Sequence, residues 1–187
     1  MSTHVVIGIA AATSSVMAYG QVITFSSKPL WQAAVNGDYN SINFTGFSDG
    51  TPINTQYAES GLAVNGPAFI FGTSAFPNDG WGLHGPAGVH LTFDTPQNWI
   101  AVDYPGAVRF QLFMQGDLLF TSMFFQPGGI GNFAGLVSDR TFDEVYLYKS
   151  TSPNVIVIDD LHWGGVPAPG ALGLLGIAGF SSRRRRR

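Results

Sequence analysis

The stretch VRFQLFMQGDLLFTSMFF, residues 108–125, decides the fold of this 187-residue chain. Residues 108–114 have the composition of a strand, and Gln115-Gly116-Asp117 follows them as a turn signal. Residues 118–125 supply the returning strand. The sequence therefore predicts an antiparallel hairpin at this point.

The same pattern of short strands between turn residues continues along most of the chain. Further strands are predicted at residues 42–44, 62–64, 69–71, 89–93, 100–104, 133–137, 144–148 and 155–161. A composition of 24 glycines, 11 prolines, 13% aromatic and 11% charged residues also disfavours helix. We therefore expect an all-β, antiparallel β-sandwich, with a jelly roll as the favoured version.

One short helix is expected before the strands, over residues 28–35, where Trp31, Ala34 and Val35 share a face. The chain contains no cysteine, which excludes disulfides and thiolate metal sites. Residues 21–165 hold all twelve acidic residues and only four basic ones, a net charge of −8. This charge disfavours nucleic acid and is compatible with cations or neutral ligands such as sugars.

The first twenty residues are typical of a signal peptide, with an apolar run at residues 5–12 and small residues before a cleavage point after Ala18 or Gly20. No Lys or Arg precedes the apolar run, and an ordinary apolar first strand is the alternative. We expect export and a domain that spans residues 21–165.

The last 22 residues form a tail with three parts in a fixed order. The first part is a Pro/Gly motif formed by Val166, Pro167, Ala168, Pro169 and Gly170. An apolar segment follows at residues 171–180, predicted as a hydrophobic helix, with Ala171, Leu172, Leu174, Leu175, Ile177 and Phe180 as its membrane-facing candidates. The chain ends in a basic cluster of Arg183, Arg184, Arg185, Arg186 and Arg187.

The apolar segment has ten residues, whereas a permanent membrane helix needs about 20. The five arginines would hold this end on the cytoplasmic side and leave the domain outside. A nucleic-acid-binding arm is the alternative, which the apolar run before the arginines does not favour.

This three-part tail resembles the PEP-CTERM sorting signal of Gram-negative bacteria, with Val166-Pro-Ala-Pro-Gly170 in place of the usual Pro-Glu-Pro. The resemblance implies an exosortase as partner, transient anchoring in the inner membrane, and release to the outer envelope or the extracellular matrix. The chain also resembles a domain found in such proteins, and that domain is similar to lectin-like and carbohydrate-binding jelly rolls. The resemblance lies in residues 44–62, 133–139, 142–147 and 158–164.

Two sets of residues are candidates for binding. Asn78, Asp79 and Trp81 lie in a Gly-rich loop and combine amide, carboxylate and aromatic groups, as sugar sites do; a loop with Trp81 packed on the sandwich is the alternative. Asp159 and Asp160, with Asn43 on an early strand, are candidate oxygen ligands for Ca²⁺. Because adjacent strand residues face opposite ways, one aspartate should be buried, and a hydrogen-bonded aspartate at a turn is the alternative.

No nucleophile elbow, phosphate loop or zinc spacing of histidines occurs, so we do not expect an enzyme. The leading hypothesis is a non-enzymatic protein of the envelope or extracellular matrix, associated with exopolysaccharide. A Ca²⁺-dependent carbohydrate-binding module is the alternative, and a secreted hydrolase is a weaker one.

Overall fold

The computed structural model describes residues 21–36, 39–72, 80–126, 131–149 and 154–165. The expected signal peptide (1–20) and sorting tail (166–187), with its hydrophobic helix, lie outside these ranges. In chain order the elements are β1 (Val22–Phe25), α1 (Lys28–Ala34), β2 (Asn40–Ile42), a 3₁₀ turn (Ala58–Ser60), β3 (Leu62–Asn65), β4 (Phe69–Gly72), β5 (Trp81–Gly85), β6 (Val89–Tyr104), β7 (Arg109–Met114), β8 (Asp117–Thr121), β9 (Asn132–Tyr148) and β10 (Ile156–Gly164).

The described part of the chain is mostly antiparallel β-sheet with one α-helix, which confirms that part of the expectation. Every pairing between the named strands is antiparallel, and the central order is β4-β5-β10-β6-β9-β7-β8. The jelly-roll version of this architecture stays a prediction. Within the described residues, no helix is long and apolar enough to cross a bilayer.

Two long strands, β6 and β9, organise the sheet. The sequence predicts two separate strands in each region, but the structure joins each pair into one strand of 16 or 17 residues. Pairing of β6 with β9 becomes irregular between Thr92 and Trp99, where Pro96 lacks a backbone donor. The early half of β6 pairs with β3 and the late half with β10, so one strand serves two parts of the sheet.

The main core lies between these two parts. Leu91 and Val145 from one part and Ile100 and Leu136 from the other are fully buried in the same cluster. Alternation along β6 sends Trp99 and Ala101 to the opposite face, where α1 covers them. Trp31 is the buried residue of α1, as the predicted face requires. Ala34, predicted on the same face, is exposed, and Val35 is buried just after the helix ends.

The hairpin predicted from residues 108–125 is confirmed, with a shorter second strand. Met114 pairs with Asp117, so Gln115 and Gly116 form a two-residue turn, and both have positive φ values of 53° and 84°. A type I′ turn requires positive φ at both positions. The returning strand β8 ends at Thr121, and Phe125 forms only an isolated bridge with Val108.

Candidate functional site

The outward side of β3, β6, β9 and β7 is a surface of aromatic and polar side chains. On β9, Val145 and Leu147 point into the core. Because side chains alternate along a strand, Glu144, Tyr146 and Tyr148 point outward, and they are half-buried. We call this surface the aromatic face and define it by residues at paired positions of the four strands: Asn65, His90, Thr92, Arg109, Gln111, Phe113, Glu144, Tyr146 and Tyr148.

A column of rings runs across this face. The rings of Tyr146 and Tyr148 are nearly parallel, with an interplanar angle of 9° and centroids 5.3 Å apart. The guanidinium carbon of Arg109 lies 5.9 Å from the centroid of Tyr148 and 5.2 Å from that of Phe124. These distances fit an offset aromatic stack and two cation–π contacts, so the four side chains form one continuous column.

Hydrogen bonds hold the column in place. The Tyr146 hydroxyl donates to the Ala87 carbonyl and accepts from the Asn154 amide at 2.9 Å. Arg109 Nε donates to the Ser122 carbonyl at 2.6 Å. Gly88, at φ +96°, lets the backbone pass close to Tyr146, because a Cβ there would lie 2.6 Å from the ring. The rings are therefore positioned before any ligand arrives, which lowers the entropy cost of binding.

Polar groups flank the column. His90 Nε2 lies 2.7 Å from Glu144 Oε1, and Asn65 donates to the Thr92 hydroxyl at 3.2 Å. Gln111 pairs with Tyr146 across the ladder, and its amide makes no hydrogen bond to any residue that the structure describes. The face thus combines ring surface with an amide that both donates and accepts hydrogen bonds.

Of the predicted ligand-binding residues, only Trp81 is described; Asn78 and Asp79 lie outside the described ranges. Trp81 begins β5 and is half-buried against the core, and its ring lies over Gly72. It does not belong to the aromatic face.

The predicted calcium ligands occupy a different place, at the junction of β10 with α1. Asp159 is fully buried, as expected for one of the two aspartates, and its Oδ1 accepts from the Asp160 backbone N–H at 2.7 Å. The ladder slips by one residue between Asp159 and His162, and Asp160 has φ +41°. This bulge turns the Asp160 carboxylate toward Lys28, whose Nζ lies 3.1 Å from Oδ2.

Asn43 follows Ile42, which pairs with Leu161, so Asn43 lies beside the part of β10 that carries these aspartates, and the calcium site stays a prediction. Asn43 Oδ1 accepts a hydrogen bond from the Thr45 hydroxyl at 2.8 Å. Among the described residues, no group of three or more His, Asp or Glu side chains is arranged to hold a metal ion.

Sequence reasoning missed Lys28 and Asp103, which complete a charge cluster with Asp160. Lys28 Nζ donates to Asp103 Oδ2 at 2.9 Å. Burial raises the pKa of Asp103 to about 6, although Lys28 opposes the shift. Burial alone would lower the pKa of Lys28, but the two carboxylates raise it overall. One ammonium shared by two carboxylates leaves Asp103 incompletely compensated, which agrees with its raised pKa.

Sequence reasoning also missed the aromatic face, although it placed Tyr146 and Tyr148 in a strand. The available signal was the Tyr-x-Tyr spacing, which puts both rings on one side of a strand. Arg109 gave a second signal, since it is one of four basic residues in residues 21–165. The predicted sorting motif and arginine cluster lie outside the described ranges.

The fold and this face define the chain as an all-β protein with an aromatic and polar sheet surface. No protein-family model matches the chain, and no curated protein matches it. It is similar to solved structures of family 29 carbohydrate-binding modules. For one, the identity is 16%, the coverage is 72% of this chain and 97% of that chain, and the TM-score is 0.35. For a single-residue mutant of such a module, the identity is 16%, the coverage is 71% of this chain and 99% of that chain, and the TM-score is 0.36. With TM-scores under 0.5, these likenesses assign no ligand to this chain.

Proposed function

We propose that this chain is an exported, non-enzymatic protein of the cell envelope or extracellular matrix, and that its aromatic face binds polysaccharide. The observation that carries the proposal is the column of Tyr146, Tyr148 and Arg109 beside the Gln111 amide. Sugar rings present C–H surfaces that pack on aromatic rings, and hydroxyls that hydrogen-bond to amides and charged groups.

The charge of the domain supports a neutral ligand. Residues 21–165 carry a net charge of −8, so an acidic polymer is repelled at long range. This net charge already includes the positive charge of Arg109, so that one guanidinium does not reverse the repulsion.

Affinity electrophoresis of the full chain through gels that contain soluble neutral polysaccharides tests the proposal. We expect retardation by at least one polymer, weaker retardation for Tyr148→Ala and Gln111→Ala, and no change for Thr141→Ala. Thr141 is exposed in the middle of β9, outside the aromatic face. Equal retardation of the wild-type chain and the three variants would contradict the assignment of polysaccharide binding to the aromatic face. Migration of the wild-type chain that no polymer changes would contradict polysaccharide binding itself.

Calcium dependence is the alternative form of this proposal. A Ca²⁺ ion bound by Asp159 and Asp160 would have to displace Lys28 Nζ from its 3.1 Å contact with Asp160. Melting curves with millimolar Ca²⁺ and with chelator separate the two forms. A calcium-dependent rise in melting temperature would favour the alternative, and identical curves would favour binding without a metal.

We propose further that the tail is an exosortase-type sorting signal that anchors the chain in the inner membrane before release. The order of Pro/Gly motif, apolar segment and five arginines supports this. Mass spectrometry of the chain expressed in a Gram-negative host that carries an exosortase tests it. We expect loss of the arginine cluster from the mature protein, and retention of the tail when Pro167 and Pro169 are both replaced by alanine. An intact tail in the secreted wild-type chain would contradict the proposal.

A secreted hydrolase is the weaker alternative. Release of reducing sugar from any polymer that retards the chain would favour it over a purely binding function.

A further inference from the structure

A cavity of about 400 Å³ lies next to the aromatic face. Its walls come from the residue after β1, the end of β6, the segment after β8 and the start of β9. The lining residues that matter are Ser26, Tyr104, Phe124, Gln126, Asn132 and Phe133. Its volume falls within the range of small-ligand sites, about 300–1,000 Å³.

The cavity is continuous with the aromatic face through Phe124. This side chain lines the cavity, and its ring is also the last member of the column, 5.2 Å from the guanidinium carbon of Arg109. A ligand that extends over Tyr148 and Arg109 therefore reaches the cavity without crossing another part of the surface.

The described lining is neutral, and one of its residues carries an unused hydrogen-bond donor. None of the described residues that line the cavity is charged. Asn132 Nδ2 is buried and has no hydrogen-bond partner among the described residues. The Tyr104 hydroxyl, by contrast, already donates to the Gln126 carbonyl at 3.1 Å. A buried donor without a partner is costly, so rotation of the Asn132 side chain toward an acceptor oxygen of a ligand in the cavity would recover that energy.

We propose that this cavity is a sugar subsite that takes one pyranose unit of a neutral polysaccharide, while the adjoining units lie on the aromatic face. After rotation of its side chain Asn132 donates a hydrogen bond to a sugar hydroxyl, and the C–H surface of the sugar ring packs against the aromatic wall that includes Phe124. The neutral lining selects against uronic acids, because a carboxylate there would be desolvated without a counter-charge. This inference rests on the proposed polysaccharide binding and adds the place and the charge of one bound unit.

Isothermal titration of the full chain with tetrasaccharides from cellulose, mannan, xylan and β-1,3-glucan tests the subsite, with tetragalacturonate as the acidic comparison. Ser26→Leu narrows the cavity from an exposed position, so we expect it to fold normally. Asn132→Leu keeps a similar side-chain volume and removes the amide. For a neutral tetrasaccharide that binds, each variant should weaken affinity about tenfold, the loss of roughly one hydrogen bond or its equivalent in packing.

Two further variants separate the subsite from the face. Tyr148→Ala should also weaken binding, and Thr141→Ala should not. If Tyr148→Ala weakens binding while both cavity variants keep wild-type affinity, the subsite is refuted and the proposed function stands. If only the cavity variants lose affinity, the subsite stands and the assignment of the face is wrong.

The remaining outcomes are also decisive. If no tetrasaccharide and no polymer binds the wild-type chain, both proposals fail. If tetragalacturonate binds as tightly as the best neutral probe, the neutral subsite is refuted. If Asn132→Leu does not fold, Ser26→Leu alone decides the outcome.

Discussion

Lys28 Nζ lies 2.9 Å from Asp103 Oδ2, and this contact joins α1 to the centre of the sheet across 75 residues of sequence. The same ammonium lies 3.1 Å from Asp160 Oδ2 on β10. Close beside it, His162 is buried and packs against the rings of Trp31 and Tyr39. The attachment of α1 therefore depends on titratable groups in a low-dielectric setting.

Replacement of Asp103 by asparagine tests this charge cluster. Burial raises the pKa of Asp103 from 3.8 to about 6, so the Asp103 carboxylate binds a proton more tightly in the folded chain than in the unfolded chain. Its contribution to stability is therefore present below pH 3.8 and lost as the pH rises through 6. The unfolding free energy of wild type minus that of Asp103→Asn should fall by about 2–3 kcal/mol between pH 4 and pH 7.

Urea unfolding at half-unit pH intervals measures this difference. Asp143→Asn, on an exposed turn contact, serves as the matched carboxylate control. A difference that rises with pH would show instead that the attraction of Lys28 outweighs the burial of Asp103.

His162→Phe should stabilise the chain most in mild acid. Burial lowers the pKa of His162 to about 4, and neighbouring Lys28 lowers it too, so the folded chain disfavours the protonated ring. The contribution of the neutral His162 ring to the free energy of unfolding is therefore complete above pH 6.5 and is lost as the pH falls through 4. Both ring nitrogens lack hydrogen-bond partners among the described residues, so phenylalanine leaves no polar atom unsatisfied.

Melting temperatures of wild type and His162→Phe at pH 5 and pH 7.5 check this. We expect His162→Phe to raise the melting temperature more at pH 5 than at pH 7.5. An equal rise at the two pH values would mean that the pKa of His162 is not lowered by folding.

Gly135→Ala should destabilise the contact between the sheet and α1. A Cβ at this position would lie 2.5 Å from Trp31 Cδ1 and 2.9 Å from Phe133 Cε1, so the helix or the rings must move. We expect a loss of about 1–3 kcal/mol of unfolding free energy. Gly106→Ala is the matched control, since a Cβ there meets nothing within 4 Å. Chemical denaturation of both variants measures the contrast, and equal stabilities would contradict the close packing of Trp31.

Gln115→Asn should stabilise the hairpin of β7 and β8. Gln115 has φ +53°, and asparagine adopts this left-handed conformation more readily than glutamine. We expect a gain of about 0.5–1 kcal/mol, and a loss for Gln115→Val, whose branched side chain disfavours positive φ. Thermal unfolding of both variants tests the turn. The same sign of change in the two variants would argue against the type I′ geometry.

Local signals predicted the elements of this protein well. The hairpin at residues 108–125 and the helix around Trp31 follow from short-range turn and periodicity rules, and both are present. The sequence placed Tyr146 and Tyr148 on a strand. Their role in the aromatic face also depends on Arg109 and Gln111, which lie beside them only because β7 pairs with β9. The division of β6 into two strands was wrong, because residues 94–97, Asp-Thr-Pro-Gln, resemble a turn although the backbone stays in the strand.

The sequence by itself determined the all-β character, the short helix and the hairpin, because alternation, turn residues and composition act over a few neighbouring positions. It also determined the net charge of −8 in residues 21–165. Only the tertiary structure decided that Asp160 faces Lys28 across a bulge, and that Asn132, Phe124 and Ser26 enclose one cavity. Those arrangements depend on strand register and on a one-residue slip, which reverses the direction of a side chain without changing any local sequence preference.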